Sequence, residues 1–76
     1  IEKSKELKSK TRIYRLKARC YLYAGEYENA VEYASRVLKT FPHDPVALQI
    51  RAKSYKLLGK HDLAKQDREK GKVIVD

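Results

Sequence analysis

Apolar and polar residues follow one another along this chain with the spacing of α-helices. Over residues 11–24 the apolar side chains recur three or four positions apart. They are Tyr14, Ala18, Tyr21 and Leu22, with Ile13 and Leu16 widening the stripe. Gly25 follows, and glycine readily adopts the left-handed conformation in which many helices end. The pattern predicts a first helix over residues 11–24.

A second helix is predicted over residues 27–40. Glu26 and Glu28 stand at its start and Lys39 in its last turn, where each charge is favoured by the helix dipole. Pro42 prevents the helix from continuing. Its predicted buried stripe consists of Tyr27, Ala30, Val31, Ala34, Val37 and Leu38.

Two further helices are predicted over residues 45–58 and 61–74. Asp44 is a good N-cap, and Pro45 at the first helical position is already in a helical conformation. Gly59 separates the two helices, as Gly25 separates the first pair. The inner face of the third helix is predicted to hold Leu48, Ala52, Tyr55 and Leu58. The fourth helix begins with Leu63 and Ala64 and then becomes polar, which is typical of the end of a stack. Residues 1–10 are mostly charged and contain no helix breaker, so they are predicted to form a basic helical lead-in.

The chain repeats itself at a constant interval. Shifting the sequence so that Ala18 aligns with Ala52 also aligns Tyr21 with Tyr55, Gly25 with Gly59 and Ala30 with Ala64. We call this shift the repeat interval. A fixed period of this kind indicates a stack of similar supersecondary units.

A pair of helices in each repeat interval, with these small, aromatic and glycine positions, resembles the tetratricopeptide repeat, whose unit is about 34 residues long. The first unit, residues 11–44, has Tyr14 where tryptophan is usual and ends with the expected Pro42. The second, residues 45–76, departs from the pattern at Arg68 and Gly71. Lys17 and Arg51 stand where leucine is frequent. The resemblance implies an all-α fragment of an α-solenoid, a right-handed superhelical stack of antiparallel helix hairpins.

Positive charge is concentrated in the first helix of each predicted hairpin. The chain has a net charge of +8; residues 1–24 carry +6 and residues 45–60 carry +4, whereas residues 25–44 carry −2 and residues 61–76 carry none. In the tetratricopeptide architecture the first helices line a concave groove, so the resemblance implies that this groove is basic. The candidate partner-binding residues are Arg12, Arg15, Arg19, Tyr23, Gln49, Lys53 and Lys56.

The leading hypothesis is a protein–protein interaction module, a scaffold, adaptor or co-chaperone-like domain that binds an acidic peptide or C-terminal tail in the groove. Some domains of this family clamp the tails of heat-shock chaperones, but the asparagines of that clamp are missing here and Val46 stands where lysine would help. Two alternatives remain: RNA binding through the same basic face, and a purely structural end cap that stacks on further repeats or on another copy.

Other classes of function are not expected. His43 and His61 lie apart, without a carboxylate pair, a phosphate loop or metal-ligand spacing, so no enzyme, metal or cofactor is predicted. No apolar run approaches the roughly 20 residues of a membrane span. Cys20 is the only cysteine and is predicted to be a core residue in a reducing compartment, which favours the cytoplasm or the nucleus.

Overall fold

The computed structural model describes residues 2–72, with side chains for residues 9–71. Over that range the chain forms four α-helices and no strand, which confirms the all-α prediction. The end of the predicted fourth helix, residues 73–74, lies outside the described range. The helices are α1 (Glu2–Tyr23), α2 (Tyr27–Thr40), α3 (Pro45–Leu57) and α4 (His61–Lys72).

The first helix begins well before the first predicted repeat. α1 runs without a break from Glu2 to Tyr23, so the charged lead-in and the first repeat helix form one rod of 22 residues. With the rise of an α-helix, such a rod is about 33 Å long. The division of the chain into a lead-in and two repeats at residues 10 and 44 stays a prediction.

The first helix of each hairpin ends in the same way. Gly25 and Gly59 both have a φ of +82°, a conformation that glycine adopts without steric cost. The residue after each glycine donates its backbone N–H to a carbonyl five positions earlier, Glu26 to Tyr21 at 2.9 Å and Lys60 to Tyr55 at 2.8 Å. This bond satisfies a carbonyl that the helix end would otherwise leave without a partner. The sequence repeat is therefore present at the level of single hydrogen bonds.

Gly59→Ala is expected to lower the free energy of unfolding by about 1 kcal/mol, because an L-residue is strained in this conformation. Apart from the glycine and its two neighbours in the chain, no atom lies within 4 Å of the added Cβ, so the cost arises from the backbone conformation. Gly71→Ala is the matched control: Gly71 lies within α4 without a positive φ, and alanine there should stabilise the helix slightly. Urea unfolding of both variants measures the two changes in the free energy of unfolding. Changes of the same sign in the two variants would contradict this explanation.

The core lies where α3 packs against both helices of the first hairpin. α1 pairs with α2, α3 pairs with α4, and α3 also contacts α1 and α2. Small residues allow this close approach, since Ala18, Ala30 and Ala34 are completely buried. Half-buried tyrosines, Tyr14, Tyr21 and Tyr33, surround the core. The core cluster comprises Ala18, Ala30, Ala34, Val37, Leu38, Ala47, Leu48 and Ile50.

Three predicted core positions of α1 are exposed instead. The side chains of Ile13 and Leu16 are 50% and 55% exposed, and Cys20 is exposed as well. The prediction that these residues are buried was wrong. They lie on the side of α1 opposite Ala18, and the described part of the chain places no helix there.

Candidate partner-binding surface

The arginines of α1 differ in how far they are engaged within the fold. Arg12 and Arg19 are exposed and form no salt bridge with a described side chain. Arg15 is half-buried, and its Nη1 lies 3.4 Å from Oδ1 of Asp44. An exposed arginine can present its planar fork to a carboxylate or phosphate of a partner, whereas Arg15 already contacts a carboxylate.

Asp44 connects this arginine to the start of α3. Its other carboxylate oxygen, Oδ2, accepts a hydrogen bond of 2.9 Å from the backbone N–H of Ala47, as the sequence predicted for an N-cap. The same carboxylate therefore caps α3 and holds Arg15 of α1. This contact joins α1 to the start of α3, the two helices that carry the predicted binding residues.

Asp44→Ala is expected to lower the free energy of unfolding by about 1 kcal/mol through loss of the cap. Arg15 becomes free to bind a partner, so we expect affinity for an acidic peptide to stay equal or to rise. Asp44→Asn is the matched control, since asparagine also caps helices but carries no charge for Arg15. Urea unfolding and peptide titration of both variants test this, and a larger stability loss for the asparagine variant would contradict the capping role.

Two clefts divide five of the seven predicted binding residues. The first has a volume of about 560 Å³ and contains Arg12 and Arg15. The second, of about 370 Å³, lies between α3 and α4 and contains Gln49, Lys53 and Lys56. The lining of the first is Ser9, Thr11, Arg12, Arg15, Phe41 and Asp44. The lining of the second, named here the C-side cleft, is Gln49, Ala52, Lys53, Lys56, Leu57, Ala64 and Arg68.

The other two predicted residues, Arg19 and Tyr23, belong to neither cleft. Both are exposed, and 78% of Tyr23 is accessible. α1 and α3 are in contact, so the two rows lie on neighbouring helices. The predicted residues thus lie along two neighbouring helices and not in one enclosed pocket. We call the seven residues together the basic surface.

Arg51 connects three of the helices through an ion pair and a hydrogen bond that the sequence did not predict. Arg51 of α3 forms a two-bond contact with Asp67 of α4, from Nε to Oδ2 at 2.8 Å and from Nη2 to Oδ1 at 2.7 Å. Its Nη1 donates to Oγ of Ser35 on α2 at 3.1 Å. Only 17% of the Arg51 side chain and 3% of that of Asp67 are exposed. The hydrogen bond to Asp67 raises the pKa of Arg51 above its ordinary value, against the opposing effect of burial.

The corresponding positions in the first hairpin use a different interaction. Lys17 and Tyr33 lie one repeat interval before Arg51 and Asp67, and the Lys17 Nζ stands 5.4 Å from the centre of the Tyr33 ring. The ring also stacks on Tyr21, with centroids 5.5 Å apart. Arg36 lies 5.1 Å above the same ring. Tyr33 was missed because it lies outside the apolar stripe of α2. The repeat relates Lys17 to Arg51 and Tyr33 to Asp67, but it does not show that the two members of each pair are in contact.

The described residues hold no group of three or more His, Cys, Asp or Glu side chains that could bind a metal ion. Among the described helices, none combines the length and the apolar character needed to cross a membrane.

Comparison with known proteins places this arrangement in a family. The family model described as Tetratricopeptide repeat matches residues 11–54, more than half of the chain. No curated protein and no solved structure matches at the significance required. The matched range covers the first hairpin and most of α3, which is where the glycine turn, the alanine contacts and the cap at Asp44 are found. The chain belongs to the tetratricopeptide repeat family.

Proposed function

We propose that this chain is a protein-interaction module that binds an acidic peptide or protein tail along its basic surface. Repeats of this family mediate protein–protein interactions. The observation that carries the proposal is the exposure of Arg12, Arg19, Lys53 and Lys56 on neighbouring helices without an ion-pair partner among the described side chains. An acidic partner would supply the missing carboxylates.

The charge distribution favours such a partner over a neutral one. The segments that contain the first helices carry a net positive charge, and the segments between and after them are acidic or neutral. A surface of one sign speeds the encounter with a partner of the opposite sign, and salt weakens the attraction. Binding should therefore be fast and sensitive to salt.

The co-chaperone role is the narrower form of this proposal. A clamp for a terminal carboxylate needs cations that are free to reach it, and Arg15 is held by Asp44. We therefore propose recognition of distributed acidic side chains, with a terminal carboxylate as an additional ligand. The proposed role is binding without catalysis. It would take place in the cytoplasm or nucleus, where a free thiol such as that of Cys20 stays reduced.

A titration with two probes tests the proposal. The probes are a fluorescent peptide rich in Asp and Glu with a free C-terminus, and a single-stranded RNA of similar charge, each at about 50 and 200 mM salt. We expect saturable peptide binding whose affinity is lower at the higher salt. Amidation of the peptide C-terminus should also lower the affinity, but by less than the added salt does. RNA binding without peptide binding would replace the proposal by the RNA alternative. Tyr23 is the only exposed aromatic residue of the basic surface, so little base stacking is expected.

A further inference from the structure

The exposed apolar residues of α1 have buried counterparts in α3. Shifted by one repeat interval, Ile13, Leu16 and Cys20 fall on Ala47, Ile50 and Ser54. Those three are 0%, 5% and 0% exposed, because α3 packs that side against the first hairpin. α1 presents the same side with half of Ile13 and Leu16 exposed. We call Ile13, Leu16, Lys17 and Cys20 the N-side face.

The opposite end of the chain carries the matching half of this contact. The C-side cleft contains Ala52 and Ala64, which lie one repeat interval after Ala18 and Ala30. In the first hairpin those alanines are completely buried in the cluster that includes Ala47 and Ile50 of α3. In the second hairpin Ala52 and Ala64 are also buried, at 5% and 2% exposure, but the space beside them is an open cleft of about 370 Å³. The cleft is thus the place where the helix of a following unit would lie.

One pair of charged groups, Lys17 and Glu69, is of opposite sign where the two ends would meet, whereas the cations of the C-side cleft, Lys53, Lys56 and Arg68, oppose the contact. Within the chain, Arg51 of the second hairpin donates a hydrogen bond of 3.1 Å to Ser35 of the first. Lys17 lies one repeat interval before Arg51, and Glu69 lies one repeat interval after Ser35. Two copies stacked in the same manner would bring Lys17 of one copy to Glu69 of the other.

We propose that a second copy of this chain packs head-to-tail, with its N-side face in the C-side cleft of the first. The contact continues the packing already present between the two hairpins. It joins two different surfaces, so each added copy leaves a free end and the assembly is open-ended. Arg68 stands where the first hairpin has Ala34, and its longer side chain makes this contact weaker than the one within the chain.

Salt should strengthen the assembly. Each copy carries a net charge of +8, and this repulsion opposes association until it is screened. The acidic peptide of the proposed function shows the opposite dependence, because salt weakens that attraction. The C-side cleft shares Gln49, Lys53 and Lys56 with the basic surface, so the two events compete for these residues, and their opposite salt dependences show which proposal has failed.

Sedimentation velocity tests the assembly over about 10 µM to 1 mM protein, at about 50 and 500 mM salt and with a reductant present. We expect the average mass to rise with protein concentration, and more strongly at the higher salt. Leu16→Glu should leave a monomer with unchanged circular dichroism, since Leu16 is half exposed within one copy. A chain that stays monomeric throughout would overturn the proposal. Association that persists in Leu16→Glu would overturn it as well.

Charge exchange tests the register. Lys17→Glu alone places two carboxylates against each other at the contact, and Glu69→Lys alone places two ammonium groups there. Each variant should therefore associate roughly five-fold more weakly than the parent. In an equimolar mixture, contacts between the two variants pair opposite charges again, and association should recover. Lys17 also contacts the Tyr33 ring within its own copy, so thermal midpoints are recorded for each variant. Failure of the mixture to recover would exclude this register.

Cys20 supplies a second measurement, because it is the only cysteine and lies within the N-side face. Its rate of reaction with a thiol reagent should fall several-fold as assembly proceeds. A rate that does not depend on protein concentration, in samples whose mass does, would show that the copies associate through another surface. Arg12→Glu/Arg19→Glu lies outside the N-side face and should not abolish assembly.

Discussion

Asp67→Ala is expected to lower the free energy of unfolding by about 3 kcal/mol, at the lower end of what loss of a buried ion-pair partner costs. The substitution leaves the Arg51 guanidinium in a site that is only 17% exposed, without the two short hydrogen bonds that now satisfy it. The remaining exposure admits some water, and Ser35 still accepts one bond. A chain of this length has a total stability of roughly 4–11 kcal/mol, so the loss would be a large part of it.

Two further variants separate this mechanism from a general effect of removing a carboxylate. Glu32→Ala removes an acid from the exposed pair with Arg36, and we expect no measurable shift of the unfolding midpoint. Arg51→Met/Asp67→Leu replaces the ion pair by apolar side chains, which often restores stability because no charge remains buried. Urea unfolding of the three variants is the measurement. An Asp67→Ala midpoint equal to that of Glu32→Ala would show that the pair contributes little.

Arg51 does not make this contribution depend on pH near neutrality. Its pKa is raised in the folded state, so the stabilisation is complete below the pKa of the unfolded chain and is lost only as the pH rises towards the folded value. Both pKa values are too high for arginine to lose its proton near neutral pH. The cost of Asp67→Ala should therefore be the same at about pH 7 and pH 9.

Arg12→Glu/Arg19→Glu is expected to weaken binding of an acidic peptide roughly ten- to hundred-fold at low salt. Both side chains are exposed and without a described ion-pair partner, so the substitutions replace attraction by repulsion without removing a contact of the fold. Arg15 is left unchanged for a physical reason. A glutamate at that position would face Asp44 and disturb the start of α3, which would confuse a loss of stability with a loss of binding.

The matched control changes the net charge by the same amount, but on the second helix of each hairpin. Lys39→Glu/Lys65→Glu places two reversals on α2 and α4, where both lysines are exposed. We expect this variant to bind the peptide within about three-fold of the parent, with the difference vanishing at higher salt. Circular dichroism verifies that both double variants keep their helices. Equal losses in the two variants would mean that net charge, rather than the basic surface, attracts the peptide.

The sequence predicted those parts of the fold that depend on local rules. The helix ends at Gly25 and Gly59, and the cap at Asp44, each follow from a few neighbouring residues and are present as predicted. The all-α stack follows from the sequence repeat, which combines many such local signals.

The sequence could not predict whether the side of a helix that faces away from its own hairpin is buried. Ile13 and Leu16 look like core residues because they extend an apolar stripe, but whether that side is covered depends on which unit stacks against it. Cys20 was predicted to be buried for the same reason, and it is exposed. An apolar stripe shows that a surface tends to be covered, and only the order of the helices shows what covers it.

The ion pairs of the charged residues could not be predicted either, because they join residues that are far apart in the sequence. Arg51 and Asp67 are 16 residues apart, and Arg15 and Asp44 are 29 apart, so no helical spacing pairs them. The sequence could group the cations of the basic surface by helix face, but it could not show that Arg15 is held within the fold while Arg12 and Arg19 are not.

Chemical-shift mapping tests the central claim most directly. An acidic peptide is titrated into uniformly ¹⁵N-labelled protein at low salt, and the movement of each backbone amide is followed. We expect the largest changes on α1 and α3, around Arg12, Arg19, Tyr23, Lys53 and Lys56, and we expect them to diminish as salt is added. Changes confined to α2 and α4, or none at saturating peptide, would contradict the claim that the basic surface is the binding site.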